Sequence, residues 1–129
     1  MAAFDQDTLD QAAQQREVEL TTWGRKTSRP ARVTLWIWGD GKRLYVRSGG
    51  GLGRDWPRNL LARGEWILHL ADRDVPVRAR HVAEAAEARL GATLINRKYG
   101  TTMASSSEGE PLNQAEGATF ELTPDGTPR

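Results

Sequence analysis

Hydrophobic and polar positions alternate with a period of two through most of this chain, which is how half-buried strands read. Val18 and Leu20 against Glu17 and Glu19 predict a first strand over 17–22. Arg32 to Gly39 carries the strongest pattern, with Val33, Leu35 and Ile37 on one face and Thr34, Trp36 and Trp38 on the other. Asp40-Gly41 then supplies the positive-φ chemistry of a tight turn, and Leu44 and Val46 point inward while Arg43, Tyr45 and Arg47 point outward. A second hairpin is predicted from Glu65–Ala71 and Asp74–Val82 around Asp72-Arg73, with Trp66, Leu68 and Leu70 inward and Val75 and Val77 continuing the face. Pro76 assigns part of that strand to an edge or a bulge. The segment GATFELTP, 117–124, is the last strand.

Three helices punctuate the strands. Asp5 or Asp7 caps a short one running to Gln15, with Phe4 and Leu9 as its apolar contacts. Asp55 caps another, with Pro57 in its first turn and Gly64 at its end. A third is expected from Ala83 to about Arg97, burying Ala86, Leu90, Leu94 and Lys98, with Gly91 weakening its middle. The polar stretch 101–116 reads as a mobile loop, either a lid or simply disordered. Six short strands and three helices without βα alternation predict one domain over 1–129, mainly β with helices: an antiparallel barrel with helices packed on it. Val33, Leu35, Ile37, Leu44, Val46, Leu68 and Leu70 are its expected core. Trp36 and Trp38, on the opposite face, are expected under a helix or at the contact of a homodimer.

Composition narrows the chemistry. With 129 residues and 38% hydrophobic content the chain can bury one core, and the absence of cysteine excludes disulfides, thiolate metal sites and thiol redox centres. No run approaches the ~18 apolar residues of a membrane span, and the acidic start has no apolar leader core, so the cytoplasm is the expected compartment. Neither a nucleophile elbow, nor a phosphate-loop lysine motif, nor a dinucleotide fingerprint occurs. His69 and His81 each stand alone on a strand, and a structural role outweighs a metal or acid–base one for both.

Charge is segregated. Residues 21–61 hold nine Lys and Arg against two Asp, a net of +7 in a chain whose total is +1. A solvated basic face is the plain reading; an anionic partner is the functional one. Arginines, hydroxyls and glycine-rich amides bind phosphate, and Trp23, Trp36, Trp38 and Trp56 offer flat faces to a conjugated ring, although core packing alone also uses tryptophan. A phosphorylated aromatic cofactor satisfies both sets. Single-stranded nucleic acid is the weaker fit, because the overall charge is nearly neutral and the tryptophans alternate into the fold.

TTWGRKTSRPAR, 21–32, followed by SGGG and WPRNL some twenty residues later, resembles the paired segments of the deazaflavin-dependent nitroreductase and quinone reductase family. That resemblance is best from Val18 to Leu70 and looks closest to an uncharacterised branch. It implies the FMN-binding split barrel of the pyridoxamine-phosphate oxidase type. It further implies that Arg25, Lys26, Thr27 and Arg32 approach the cofactor's phosphate tail, that Ser48, Gly49 and Gly50 pass beside tail or ring, and that Trp56 and Asn59 close the pocket. Ser28, Gly49 and Pro57 depart from the family's usual glycine, lysine and tyrosine. The implied activity is hydride transfer from a reduced 8-hydroxy-5-deazaflavin or FMN to a small acceptor such as a quinone or nitro compound, without a catalytic side chain. The alternative is a noncatalytic module for a phosphorylated ligand, or a barrel that has lost its cofactor.

Overall fold

The computed structural model describes residues 4–24, 26–27, 29–48, 51–62, 65–70 and 73–124. Helix α1 (Gln6–Gln14) starts where Asp5 accepts the Thr8 amide at 2.8 Å, so Asp5 is its cap. Strands β1 (Val18–Trp23) and β2 (Pro30–Leu35) follow as a hairpin, then β3 (Ile37–Gly39) and β4 (Leu44–Arg47) as a second. A 3-10 turn (Gly51–Gly53) leads into α2 (Asp55–Ala62). Strands β5 (Glu65–Leu70) and β6 (Arg73–His81), helix α3 (Ala85–Tyr99), a 3-10 turn at Glu116–Ala118 and β7 (Thr119–Pro124) complete the order. Gly64 and Asp72, predicted to end α2 and to turn the β5–β6 hairpin, lie outside the described residues.

All strands pair antiparallel in one sheet of order β2-β1-β5-β6-β7-β4-β3. Its two outer strands, β2 and β3, are consecutive in the chain, so the sheet must curl back on itself into a split barrel. The count is seven strands where six are expected, because the 32–39 segment breaks at Trp36. Alternation continues through the break, which is why periodicity alone reads one strand. The stretch 24–32 is also less open than expected: β2 begins at Pro30, which pairs with Trp23. Pro76 faces Ile67 of β5 but precedes the β6–β7 register, which starts at Val77↔Pro124, so its missing N–H costs no ladder bond there.

Leu35, Ile37, Leu44, Val46, Leu68 and Leu70 fill the barrel with Leu20, Trp66, Val77, Phe120 and Leu122, and Val33 packs partly buried against them. A second apolar layer lies outside the sheet under α3: Trp38, Tyr45, Val82, Ala88, Ile95 and Tyr99. Tyr45 therefore is not solvent-facing; its ring stacks 5.9 Å from that of Trp38 and its hydroxyl donates to Glu87 at 2.8 Å. Helix α3 also turns a different side inward from the one expected. Ala88, Gly91, Ala92, Ile95 and Tyr99 are buried, whereas Ala86 and Leu90 are exposed and Leu94 and Lys98 are intermediate. Small residues let the helix approach the sheet closely, which outweighs the larger side chains that a size-weighted pattern favours.

Gly91 has a specific cause. The Arg47 guanidinium occupies the space where its Cβ would stand, and Trp38 Cζ2 would be 3.2 Å away. Arg47 is fixed there by bonds to Thr119 Oγ1 (2.8 Å) and the Ala88 carbonyl (2.7 Å), and it lies 5.4 Å from the Trp38 ring centroid. Gly91→Ala should thus destabilise by roughly 1–2 kcal/mol, the overpacking cost exceeding the ~1 kcal/mol helix gain. In an Arg47→Ala background the same change should be neutral or stabilising, and urea unfolding of the four proteins of the cycle measures that reversal.

Candidate functional site

The β1–β2 hairpin carries the cationic group read from the sequence. Lys26 and Thr27 are exposed at its turn, where the Gly24 amide donates to the Arg29 carbonyl at 2.9 Å and the Arg29 amide to Thr27 Oγ1 at 3.3 Å. Arg32 stands on the outer face of β2 and donates to Glu19 at 3.0 Å; both side chains are about half exposed. Lys26 has no ion-pair or hydrogen-bond partner among the described residues. Arg25, Gly49 and Gly50, expected beside the tail and ring, lie outside the described residues.

The remaining expected positions sit on a contiguous segment. Ser48 is buried at the end of β4; its amide donates to the Ala118 carbonyl and its carbonyl accepts from Gly51, both at 3.0 Å. Gly51 has φ +80° and the Gln114 side chain against its Cα, so two loops meet at a point only glycine can occupy. Helix α2 follows and packs on β1. Its Asn59 is buried, and Trp56 is spent largely on the barrel, 6.3 Å edge-on to Trp66 and 5.9 Å from Phe120. Trp66 Nε1 is buried with no acceptor among the described residues. The structure thus sets Ser48 at the end of β4 against Ala118, carries Trp56 and Asn59 on α2, which packs on β1, and places Lys26, Thr27 and Arg32 on the β1–β2 hairpin.

Three constellations were not legible as motifs. A cavity of about 410 Å³ opens between α1, the β3–β4 turn and the end of α3, walled by Leu9, Trp38, Leu44 and Leu94 with Arg97 and Lys98 at its rim. It contains none of the expected cofactor residues. Lys98 Nζ bridges the carbonyls of Ile37 (2.6 Å) and Ala12 (2.9 Å), and burial pulls its pKa down to about 8. Glu116 is fully buried at the close of the 101–116 segment. Its carboxylate accepts from the amides of Asn113 and Ser106 and from Ser105 Oγ, while its own amide donates to Asn113 Oδ1 at 2.8 Å. Burial pushes that carboxyl up, but these donors win and hold it below its ordinary value. The reciprocal Asn113–Glu116 pair is a capping box, and N-x-x-E was the available sequence signal.

The third crosses three strands. His69 Nδ1 lies 2.7 Å from Asp74 Oδ1, and His69 Nε2 lies 2.6 Å from Thr21 Oγ1. Asp74 directly faces His69 in the register, so this histidine is not alone. His81 Nε2 instead meets the Gly117 carbonyl at 2.8 Å. Among the described residues, no cluster of three or more acid or histidine side chains could hold a metal.

No family profile matches the chain, and no curated protein matches it. Solved structures do. A candidate 5-nitroimidazole antibiotic resistance protein from Bacteroides thetaiotaomicron superposes with a TM-score of 0.69 at 12% identity, covering 97% of this chain and 82% of that one. An F420-H2-dependent reductase gives 0.58 at 18% identity, covering 84% and 94%. The heme storage protein HutZ from Vibrio cholerae gives 0.58 at 13% identity, covering 94% and 89%. At such identities the likeness establishes the split-barrel fold expected from the sequence. No helix among the described residues is long and apolar enough to cross a membrane.

Lys98 yields a pH signature. Its folded pKa, about 8, lies below its ordinary value of 10.5, so from pH 8 to 10.5 the unfolded chain binds more protons and stability rises with pH. Wild type should gain stability relative to Lys98→Met across that window and show no such gain below it, as read by urea unfolding at pH 7, 8.5 and 10.

Proposed function

We propose that this split barrel binds a phosphorylated flavin or deazaflavin and acts as an oxidoreductase on a small organic acceptor such as a quinone or nitro compound. The observation that carries the reading is the β1–β2 hairpin: Lys26, Thr27 and Arg32 present an ammonium, a hydroxyl and a guanidinium on one exposed turn and strand, the donor set of a phosphate site. A fold shared with an F420-H2-dependent reductase supports it. When bound, the cofactor supplies the hydride. The chain's own residues then have positional tasks. Lys26 and Arg32 neutralise the tail, with Arg32 exchanging part of its Glu19 contact for phosphate. Thr27 adds a neutral donor, and Ser48 and the Asn59 of α2 close the pocket.

A noncatalytic binding role is the second reading, favoured by the similar fold of a heme storage protein. Of the two places expected for Trp36 and Trp38, the one under a helix is met: α3 covers Trp38, and Tyr99 stacks on Trp36 at 4.1 Å. Leu52 on the 3-10 turn and Leu61 on α2, 37% and 54% exposed, offer apolar surface to a second copy.

Titration of wild type with FMN and with the deazaflavin coenzyme, followed by ring fluorescence, should give micromolar binding to one of them. Lys26→Ala and Arg32→Ala should each weaken it about tenfold to a hundredfold, the worth of a charge-assisted contact of about 1.5–3 kcal/mol. Absence of binding at high micromolar concentration replaces the reductase by the noncatalytic module. Binding that neither substitution weakens moves the phosphate site off this hairpin.

A further inference from the structure

The cavity bounded by α1, the β3–β4 turn and the end of α3 lies between the two apolar layers. Leu9 and Leu44 belong to the barrel side, and Trp38 and Leu94 to the layer under α3. Leu9 and Leu94 are only partly buried, and the space of about 410 Å³ between the walls falls in the ~300–1,000 Å³ range of small-molecule sites. Leucines that face open space lose dispersion contacts, so an apolar occupant supplies what the walls lack.

The charges around this space are unequally answered. Asp40 Oδ1 accepts the amides of Lys42 and Arg43 at 2.9 and 2.7 Å, and Asp10 Oδ1 accepts from Gln6 Nε2 at 2.8 Å. The Arg43 guanidinium lies 3.6 Å from Glu87, which is not in the lining. Arg97, exposed at the rim, makes no hydrogen bond or ion pair among the described residues. Lys98 beside it rests its charge on two neutral carbonyls and the Tyr99 ring, 4.9 Å away; burial lowers its pKa and no acid opposes that shift. The α3 end of the cavity is therefore positive without a counter-ion.

We propose that this cavity is a ligand site for a small amphipathic carboxylate, a monoanion with a ring or branched apolar body. The body lies among Leu9, Leu44 and Leu94 with Trp38 in the wall, and the carboxylate takes the Arg97 guanidinium, with the Lys98 ammonium as a second positive charge. A planar guanidinium matches a carboxylate with two parallel hydrogen bonds, which fixes its direction as well as its charge. Asp10 and Asp40 in the same lining disfavour a second negative charge, which selects monocarboxylates over phosphate esters. None of the residues assigned to the cofactor lines this cavity, so the site stands whether or not a cofactor binds.

The test uses the whole chain without cofactor, and cinnamate with its uncharged counterpart cinnamamide as probes. Followed by amide NMR, cinnamate should saturate the protein below millimolar concentration, with the largest shifts at Gly39, Gly41, Leu94 and Arg97. Cinnamamide should bind about tenfold more weakly, and Arg97→Gln should weaken cinnamate about tenfold while leaving cinnamamide unchanged. Ala13→Trp, which adds an indole to the lining from an exposed position of α1, should abolish binding of both with the fold intact by thermal melting. Shifts centred elsewhere in wild type, equal affinity for acid and amide, or no saturation at millimolar concentration overturns the assignment. A loss of cinnamate affinity on Lys26→Ala but not on Arg97→Gln puts the anion on the β1–β2 hairpin and overturns it as well.

Discussion

The fold depends on one corner. Because β2 and β3 are the two outer strands of a single sheet and are joined through Trp36 alone, the chain must change direction there and hold the change. At the corner both the N–H and the C=O of Ile37 are bonded to side chains of α3. Helix α3 supplies those partners from its last turn. The Tyr99 hydroxyl accepts from the Ile37 amide at 3.1 Å and lies 2.7 Å from the Arg16 carbonyl, while Lys98 takes the carbonyls of Ile37 and Ala12. Two adjacent residues thus cap an edge strand and tie α1, β1's approach, β3 and α3 together.

The space between α3 and the sheet is unusually polar for a packed layer, and each polar group in it is answered. Arg47 is desolvated, which lowers its pKa, and the negative charge of Glu116 opposes that shift. Glu87 receives Tyr45 and Arg80, and Arg80 also reaches Glu121 at 2.8 Å. Burial raises the Tyr45 phenol to about 12, so it remains a donor to Glu87 throughout the neutral range. Removing one member of such a set leaves its partner stranded, a larger loss than the pair's net contribution to stability. These groups fix the helix in register on a layer whose small residues would otherwise let it slide.

Much of this was legible in the sequence, and the parts that were not share a cause. Strict alternation in Val33–Ile37, Leu44–Val46 and Leu68–Leu70 predicted the core because the side-chain period of a strand is local information. The break at Trp36 was invisible because a barrel corner preserves alternation. The buried side of α3 was misread because Ala88, Gly91 and Ala92 are selected by closeness to Arg47 and Trp38, residues over forty positions away. His69 and Asp74 are five apart in sequence and become partners only through the β5–β6 register. At the candidate site, the cations of the β1–β2 hairpin stood out by charge. Trp56 packs edge-on against Trp66 and tilted against Phe120, contacts across the barrel that its position in the sequence does not announce.

The position of β7 has a consequence for how the chain reaches this structure. Three hairpins, β1–β2, β3–β4 and β5–β6, are built from neighbours in sequence and can form on the microsecond scale of such units. None of them joins the β4–β3 arm of the sheet to the β5–β6 arm. That junction is β7, which enters between β4 and β6 after α3 and the polar loop have been threaded past, so the strand pairing of highest sequence separation is also the one that makes the barrel continuous. Until it docks, β4 and β6 each present an open edge with Leu44, Val46 and Val77 uncovered, the condition under which a second chain's β7 would serve as well as the chain's own.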